Sequence, residues 1–200
     1  MKNNPILRVV EIFHSIQGEG ANTGRSAVFI RLAGCNKQCD FCDTDFNSFS
    51  SLSVSEVATQ VATYSCDTII WTGGEPTLQL TEKILSHFTA YFNCIETNGS
   101  NPIPKGIDYI SCSPKAPVSL LKKTLPEVDE IRIACDTHTV IPALSELPKA
   151  KHYFLSPIFE GDKENKNQFS RKNLNKCLRE IHANNRWRLS VQLHKFLNIE

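Results

Sequence analysis

Short apolar runs recur along the chain, separated by more polar stretches, and each run is about the length of one buried strand. They read RVVEIF near the start, AVFIRL at 27–32, TIIW at 68–71, CIET at 94–97, YISC at 109–112, EIRIA at 130–134, HYFL at 152–155 and RLSVQL at 188–193. Helical patterns fill several of the gaps. Ser53 and Glu56 form a capping-box pair that opens a helix running to about Tyr64. A second helix is expected after Pro76 and Thr77, where Leu80, Ile84, Leu85 and Phe88 recur at helical spacing, and a late one over about Arg171 to Asn184. Strands alternating with helices predict an α/β fold with a largely parallel sheet. A closed eightfold barrel typically needs about 250 residues, so eight strand candidates in 200 residues predict a modified, incomplete and partly open (β/α) barrel. In such sheets ligands gather beyond the carboxyl ends of the strands. The polar stretch EGDKENKNQ at 160–168 reads as a surface loop.

Composition narrows the class of function. The length and 40% hydrophobic content suit one domain over residues 1–200 with a sizeable core. With 22 basic and 21 acidic residues the chain makes no bulk electrostatic case for nucleic acid or a charged membrane; a small neutral or mildly anionic substrate fits better. No run approaches the roughly 20 apolar residues of a membrane span, and the first residues lack an apolar signal core, so a cytoplasmic protein is expected. Eight cysteines without an export signal point to reduced thiols. Cys66, Cys94, Cys112, Cys135 and Cys177 adjoin apolar or β-branched residues and read as small buried hydrophobes.

Cys35, Cys39 and Cys42 are different: CNKQCDFC supplies three thiols within eight residues, one too few to close a four-ligand site. A distant His or Cys could complete a structural zinc site, with His14 and His138 as donors. A cubane iron–sulfur cluster on three thiolates instead leaves one iron open. Phe41 precedes the third cysteine, and Asp43 and Thr44 follow it with hard oxygen atoms. WTGGEP at 71–76 reads as a strand ending in a glycine turn, with Glu75 adding a carboxyl group. The glycines at 18, 20 and 24 match neither dinucleotide-binding nor P-loop spacing. Around them Gln17, Glu19 and Arg31 form a polar set beside apolar strands; either Glu19 and Arg31 pair with each other, or the set meets a flat, donor-rich heterocycle.

The cysteine spacing with Phe41, followed by GGEP, resembles the radical S-adenosylmethionine superfamily, in which the open iron of a [4Fe-4S] cluster binds S-adenosylmethionine. The further run of SIQGEG, GR, FIRLAGCN, CDT, SPK and WRLSVQLHK, from about Ile12 to Glu200, is similar to the 7-carboxy-7-deazaguanine synthase family of queuosine biosynthesis. That resemblance implies a partial barrel of the radical SAM type, a homodimer, a flavodoxin or ferredoxin reductant, and conversion of 6-carboxy-5,6,7,8-tetrahydropterin to 7-carboxy-7-deazaguanine with loss of ammonia. It implies that the pterin is held by Ile16, Gln17, Gly18, Glu19, Arg31, Thr72 and the terminal carboxylate of Glu200. S-adenosylmethionine would meet Phe41, Cys42, Asp43, Gly74, Ser113, Pro114, Lys115, Ser156 and Pro157; Cys35, Cys39 and Cys42 would hold the cluster, and Thr44 Mg2+. Ser156 stands where some relatives are expected to carry Gln, which favours a backbone contact there. Glu96, Asn98, His194 and Lys195 are secondary candidates. Two rival readings share parts of this pattern. A glycyl-radical activating enzyme has the cysteines and GGEP but not SIQGEG or the QLHK ending, and a zinc or electron-transfer module has a fully ligated centre.

Overall fold

The computed structural model describes residues 4–39, 48–115, 117–160 and 169–199. Its strands are β1 (Ile6–Ile16), β2 (Ser26–Leu32), β3 (Ser50–Ser53), β4 (Thr68–Gly73), β5 (Phe92–Thr97), β6 (Tyr109–Cys112), β7 (Glu127–Cys135), β8 (Lys149–Pro157) and β9 (Trp187–Leu189). The helices are α1 (Val54–Val61), α2 (Glu82–Leu85), α3 (Val118–Thr124), α4 (Arg171–Ala183) and α5 (Leu193–Leu197). Among the described residues one sheet holds all nine strands in the order β3, β1, β2, β4, β5, β6, β7, β8, β9. Every pair from β2 onward is parallel, and β1 runs antiparallel to both β2 and β3. The two edges do not pair, so the barrel is incomplete and open.

Alternation along each strand separates two faces. Outward residues such as Val28, Ile30, Ile69, Trp71 and Ile95 pack with Val54, Val57 and Val61 of α1 and with Ile84, Leu85 and Phe88. Further along the sheet, Ile131, Ile133, Tyr153 and Leu155 pack against Leu121 of α3 and Cys177 of α4. The inner face carries Ala27, Phe29, Ile70 and Cys94, with Phe13, Phe92 and Tyr109 against them. One irregularity sets which β1 residues join that face. Val9 pairs with Leu32 and Glu11 with Arg31, so Val10 is an extra residue in β1. This bulge reverses the alternation: Leu7 and Val9 lie in the outer core, whereas Phe13 stacks on Phe29 inside at 5.0 Å.

Most expected strands are present, usually longer than their apolar runs, but several elements differ from the sequence pattern. β3 has the polar sequence SSLS and forms because it lines the edge of β1. The expected helix after Pro76 is broken into a 3-10 turn at Pro76–Leu78 and the short α2, although Leu80, Ile84, Leu85 and Phe88 are all buried. Gln79 interrupts it, binding the backbone of Arg8 and the carbonyl of Ala33 at 2.8–3.3 Å. The expected strand over 188–193 stops at Leu189, because the Leu193 amide turns to the carbonyl of Gly18 and α5 begins there.

The capping box is formed: Glu56 N donates to Ser53 Oγ at 3.3 Å, and Ser53 N to Glu56 Oε2 at 2.7 Å. Hydrogen bonds from the Ser53 side chain, then its backbone, hold the Glu56 carboxyl below its usual range. A depressed value means that this contribution is present at neutral pH and fades as pH falls through the lowered value. Ser53→Ala is expected to cost about 0.5–2 kcal/mol, read as a lower urea midpoint at pH 7 with an unchanged slope.

Candidate active site

Two layers of side chains fill the inner face. The apolar layer just described occupies the amino halves of the parallel strands, and polar groups occupy the carboxyl halves. Glu96 on β5 is a centre of this second layer, accepting from Gln17 Nε2 at 3.1 Å, Thr72 Oγ1 at 2.7 Å and Arg132 Nη2 at 2.7 Å. Arg132 on β7 also donates through Nη1 to Glu19 at 2.6 Å, and Ser156 Oγ on β8 donates to the other Glu19 oxygen at 3.3 Å. Burial works against the Glu96 charge, but the Arg132 guanidinium, with hydrogen bonds from Thr72, Arg132 and Gln17, outweighs it and lowers the carboxyl pKa. Burial likewise opposes the Arg132 cation, and Glu19, Glu96 and Glu130 overcome it.

The segment after β1 leaves from the amino end of β2, opposite the cysteines, and crosses the concave face. Its Gln17 reaches Glu96, the Ala21 amide donates to Glu130 at 2.8 Å, and the Gly20 amide donates to Ser190 Oγ at 2.9 Å. Gly20 has φ +69°, and a Cβ there would strike the Glu130 carboxylate. At Gly18 a Cβ would strike the His194 ring, and the Leu193 amide binds the Gly18 carbonyl at 3.0 Å. The beginning of α5 is thereby seated on the same loop, and Lys195 lies over Phe159 at 5.2 Å.

At the carboxyl ends, Gly74 packs so closely against the Gly34–Cys35 backbone that a Cβ would overlap the Gly34 carbonyl. The Gly74 amide donates to Leu32 O at 3.0 Å and the Glu75 amide to Gly34 O at 2.9 Å, so GGEP holds the start of the cysteine loop through backbone contacts. The Glu75 side chain is fully buried and accepts from the Thr77 amide and hydroxyl, the Thr97 hydroxyl and the Asn98 amide. Asn98 in turn donates to Asn36 at 2.9 Å and lies 3.9 Å from Cys35 Sγ. The Ser113 amide binds Thr97 O, the Lys115 amide binds Asn98 O, and Lys115 Nζ donates to Ser113 Oγ at 3.3 Å, so the Ser113–Pro114–Lys115 turn adjoins this corner. Burial pulls the Lys115 pKa down, with the Cys39 and Cys112 thiols and Glu19 opposing it.

These contacts bring Gln17, Glu19, Thr72 and Ser156 into one network, with Cys35, Gly74 and the Ser113–Lys115 turn along its upper edge. Ile16 ends β1 and Pro157 ends β8, paired in register with Cys135. Arg31 pairs with Glu11 at 2.5 Å, not with Glu19, so the proposed pairing of Glu19 with Arg31 does not form. Phe41, Cys42, Asp43, Thr44 and Glu200 lie outside the described residues. Cys35 and Cys39 are partly exposed beyond the sheet edge, a setting that suits thiolate ligands. His14 binds Ser26 at 2.8 Å beside Tyr64, and the paired position Val28 is four residues back from Leu32. That is about 13 Å along the strand, so His14 is remote from the start of the cysteine loop. Cys94 and Cys112 are buried thiols whose pKa values burial pushes up to about 12. Cys135 and Cys177 are buried as well, whereas Cys66 is only partly so, beside Ser26. Arg132 and Glu130 were not apparent from sequence motifs. Their signal was two charges on one face of an otherwise apolar strand, EIRIA.

The Radical SAM superfamily model matches residues 29–155. The chain is 40% identical to 7-carboxy-7-deazaguanine synthase of Neisseria meningitidis serogroup B over 98% of this chain and 96% of that protein. This chain belongs to the 7-carboxy-7-deazaguanine synthase family. The family enzyme of Haemophilus influenzae is 41% identical, covering 98% of this chain and 95% of its own length. That of Bacteroides thetaiotaomicron is 36% identical, over 96% and 98%. The crystal structure of QueE from Escherichia coli matches the fold with a TM-score of 0.69 over 94% of this chain and 95% of that one, at 22% identity. Membership brings a [4Fe-4S] cluster and S-adenosylmethionine, and Cys35, held by GGEP and Asn98, together with the partly exposed Cys39, fits a thiolate-bound cluster. Among the described residues, no helix is long and apolar enough to cross a membrane.

Proposed function

We propose that the chain converts 6-carboxy-5,6,7,8-tetrahydropterin to 7-carboxy-7-deazaguanine with loss of ammonia, in 7-deazapurine (queuosine) biosynthesis. The observation that carries this reading is the Gln17–Glu96–Thr72 and Glu19–Arg132 network on the inner face, beneath the corner where Gly74 meets Cys35. Cys35, Cys39 and Cys42 would hold the cluster, which, once reduced, would supply radical chemistry through S-adenosylmethionine. The remaining task of the protein is to orient the substrate and exclude water.

Gln17, Glu19 and Thr72 hold the pterin ring, with Ile16 and Gly18 beside it and the Glu200 carboxylate on its donor edge. Arg31 presents a planar fork suited to the substrate carboxylate, and its contact with Glu11 at the inner face keeps that fork beside the Phe13 ring. Gly74, the Ser113–Pro114–Lys115 turn, Ser156 and Pro157, with Phe41 and Asp43, surround S-adenosylmethionine. The Thr44 hydroxyl would hold Mg2+, a hard ion suited to oxygen donors. A single domain, a homodimer, a cytoplasmic location and a flavodoxin- or ferredoxin-type reductant complete the proposal; the near-neutral charge of +1 favours neither nucleic acid nor membrane as partner.

The test is an anaerobic reaction with the pterin, S-adenosylmethionine, Mg2+ and a reductant, read by mass spectrometry. The deazaguanine product is expected. Its absence from protein carrying an intact cluster would overturn the function. Thr44→Ala is expected to keep its iron and to lose about tenfold or more of the Mg2+-stimulated rate, at least the loss that removal of an outer-shell partner of a metal causes. Unchanged stimulation by Mg2+ would remove that role.

A further inference from the structure

We propose that Arg132 is a positioning residue for the substrate, pairing Glu19 and Glu96 simultaneously and thereby setting the spacing of two carboxylates that face the open interior. This inference rests on the function proposed above. Arg132 lies on the inner face of β7, with its side chain only 6% exposed. Its Nη1 binds Glu19 at 2.6 Å and its Nη2 binds Glu96 at 2.7 Å. The third nitrogen, Nε, sits 3.3 Å from Glu130 Oε1 without a hydrogen bond. The rigid guanidinium fork therefore joins the loop crossing the barrel to β5, two segments far apart in the chain.

The three carboxylates around Arg132 are not equivalent. Glu130 is 3% exposed and accepts from the Ala21 amide, Tyr109 and Ser111, with Arg132 Nε closing its remaining side. With its side chain closed to solvent, Glu130 is unavailable to a ligand and acts as the clamp on the loop. Glu96 accepts three hydrogen bonds and Glu19 two, and their side chains remain 25% and 20% exposed. Each keeps acceptor capacity and a route to solvent. Three carboxylates against one guanidinium also leave the cluster acidic, with Lys115 the further cation whose charge Glu19 favours. The complement is a neutral edge rich in N–H donors, such as the amino-pyrimidinone edge of a pterin. Arg132, a donor without acceptor atoms, cannot itself receive that edge; it acts by holding both acceptors at the required separation.

The experiment compares wild type, R132M and R132K, each reconstituted anaerobically. Titration uses 6-carboxypterin, the oxidised analogue that does not turn over, and S-adenosylmethionine separately; turnover uses the tetrahydropterin. R132M is expected to raise KM and weaken 6-carboxypterin binding by about tenfold or more, the scale of losing a charge-assisted contact. Cluster content and S-adenosylmethionine affinity should stay at the wild-type level. Misplaced substrate should also raise the 5'-deoxyadenosine released per product formed, a ratio that general loss of fold leaves unchanged. R132K keeps the charge but not the fork, so an intermediate loss of about threefold is expected. If R132M does not fold, R132K decides. Either variant folded, loaded with cluster, and equal to wild type in pterin affinity and product ratio would overturn the inference. A wild type that neither binds 6-carboxypterin nor forms product would overturn the proposed function with it.

Discussion

Glu75→Ala should destabilise the protein by about 3–5 kcal/mol, because it strips four donors of their acceptor at a site closed to water. Two are backbone amides, those of Thr77 and Asn98, which the surrounding turns cannot redirect. For a chain of this size the loss corresponds to a melting point lower by about 6–20 °C. Glu75 also ties the end of β4 to the end of β5, and through Asn98 to Asn36 beside Cys35. Reduced iron retention should therefore accompany the thermal shift. Glu75→Gln separates the contributions. Oε1 accepts three of the four bonds, so the glutamine carbonyl can replace it, leaving its amide opposed to the Asn98 amide alone. The expected cost is about 1–2 kcal/mol, one buried unsatisfied contact. Equal melting points for wild type and Glu75→Ala would show that the carboxyl group does not hold this corner.

Cys39→Ala should abolish product formation while leaving the fold nearly intact. Two remaining thiols cannot hold a cluster that requires three protein ligands, so iron per chain and turnover should both fall to background. Cys39 lies in the loop beyond β2 and is only partly buried, so its truncation should change stability by no more than about 0.5 kcal/mol. Cys177→Ala is the informative contrast. That thiol is fully buried in the outer core between α4 and the sheet. Its loss should cost about 1 kcal/mol, on the scale of one deleted buried group, and leave iron content and turnover in place. A Cys39→Ala protein that keeps its iron, or a Cys177→Ala protein that loses it, would reverse the assignment of ligand and core thiols.

Legibility in the sequence followed the range of the interaction involved. Apolar runs revealed most strands because burial on both faces makes them apolar whatever their neighbours. The SSLS strand was invisible because it lies at an edge and its pairing comes from β1. RLSVQL alternates like a strand, yet the chain turns after Leu189 to meet Gly18 and Gly20. Gln17, Glu19 and Thr72 were recognisable from motifs, and the network that joins them supports the family resemblance. Of the two readings for Arg31, the pairing with Glu19 does not form, and Arg31 meets Glu11 instead.

Local composition determined the cysteine spacing, the glycines before Glu75, the capping box at Ser53 and the alternation of strands with helices. These depend on residues within a few positions of one another, where backbone geometry leaves few choices. Only the tertiary structure decided that Val10 bulges and turns Phe13 and Glu11 inward, or that Gly74 lies against Gly34. It also decided that Arg132 meets Glu19 and Glu96. Buried charge tolerates no orphan, but which opposite charges meet depends on how the sheet curves. The loop after β1 crosses from the amino end of the strands to reach β7, and no periodicity in its own sequence records that path.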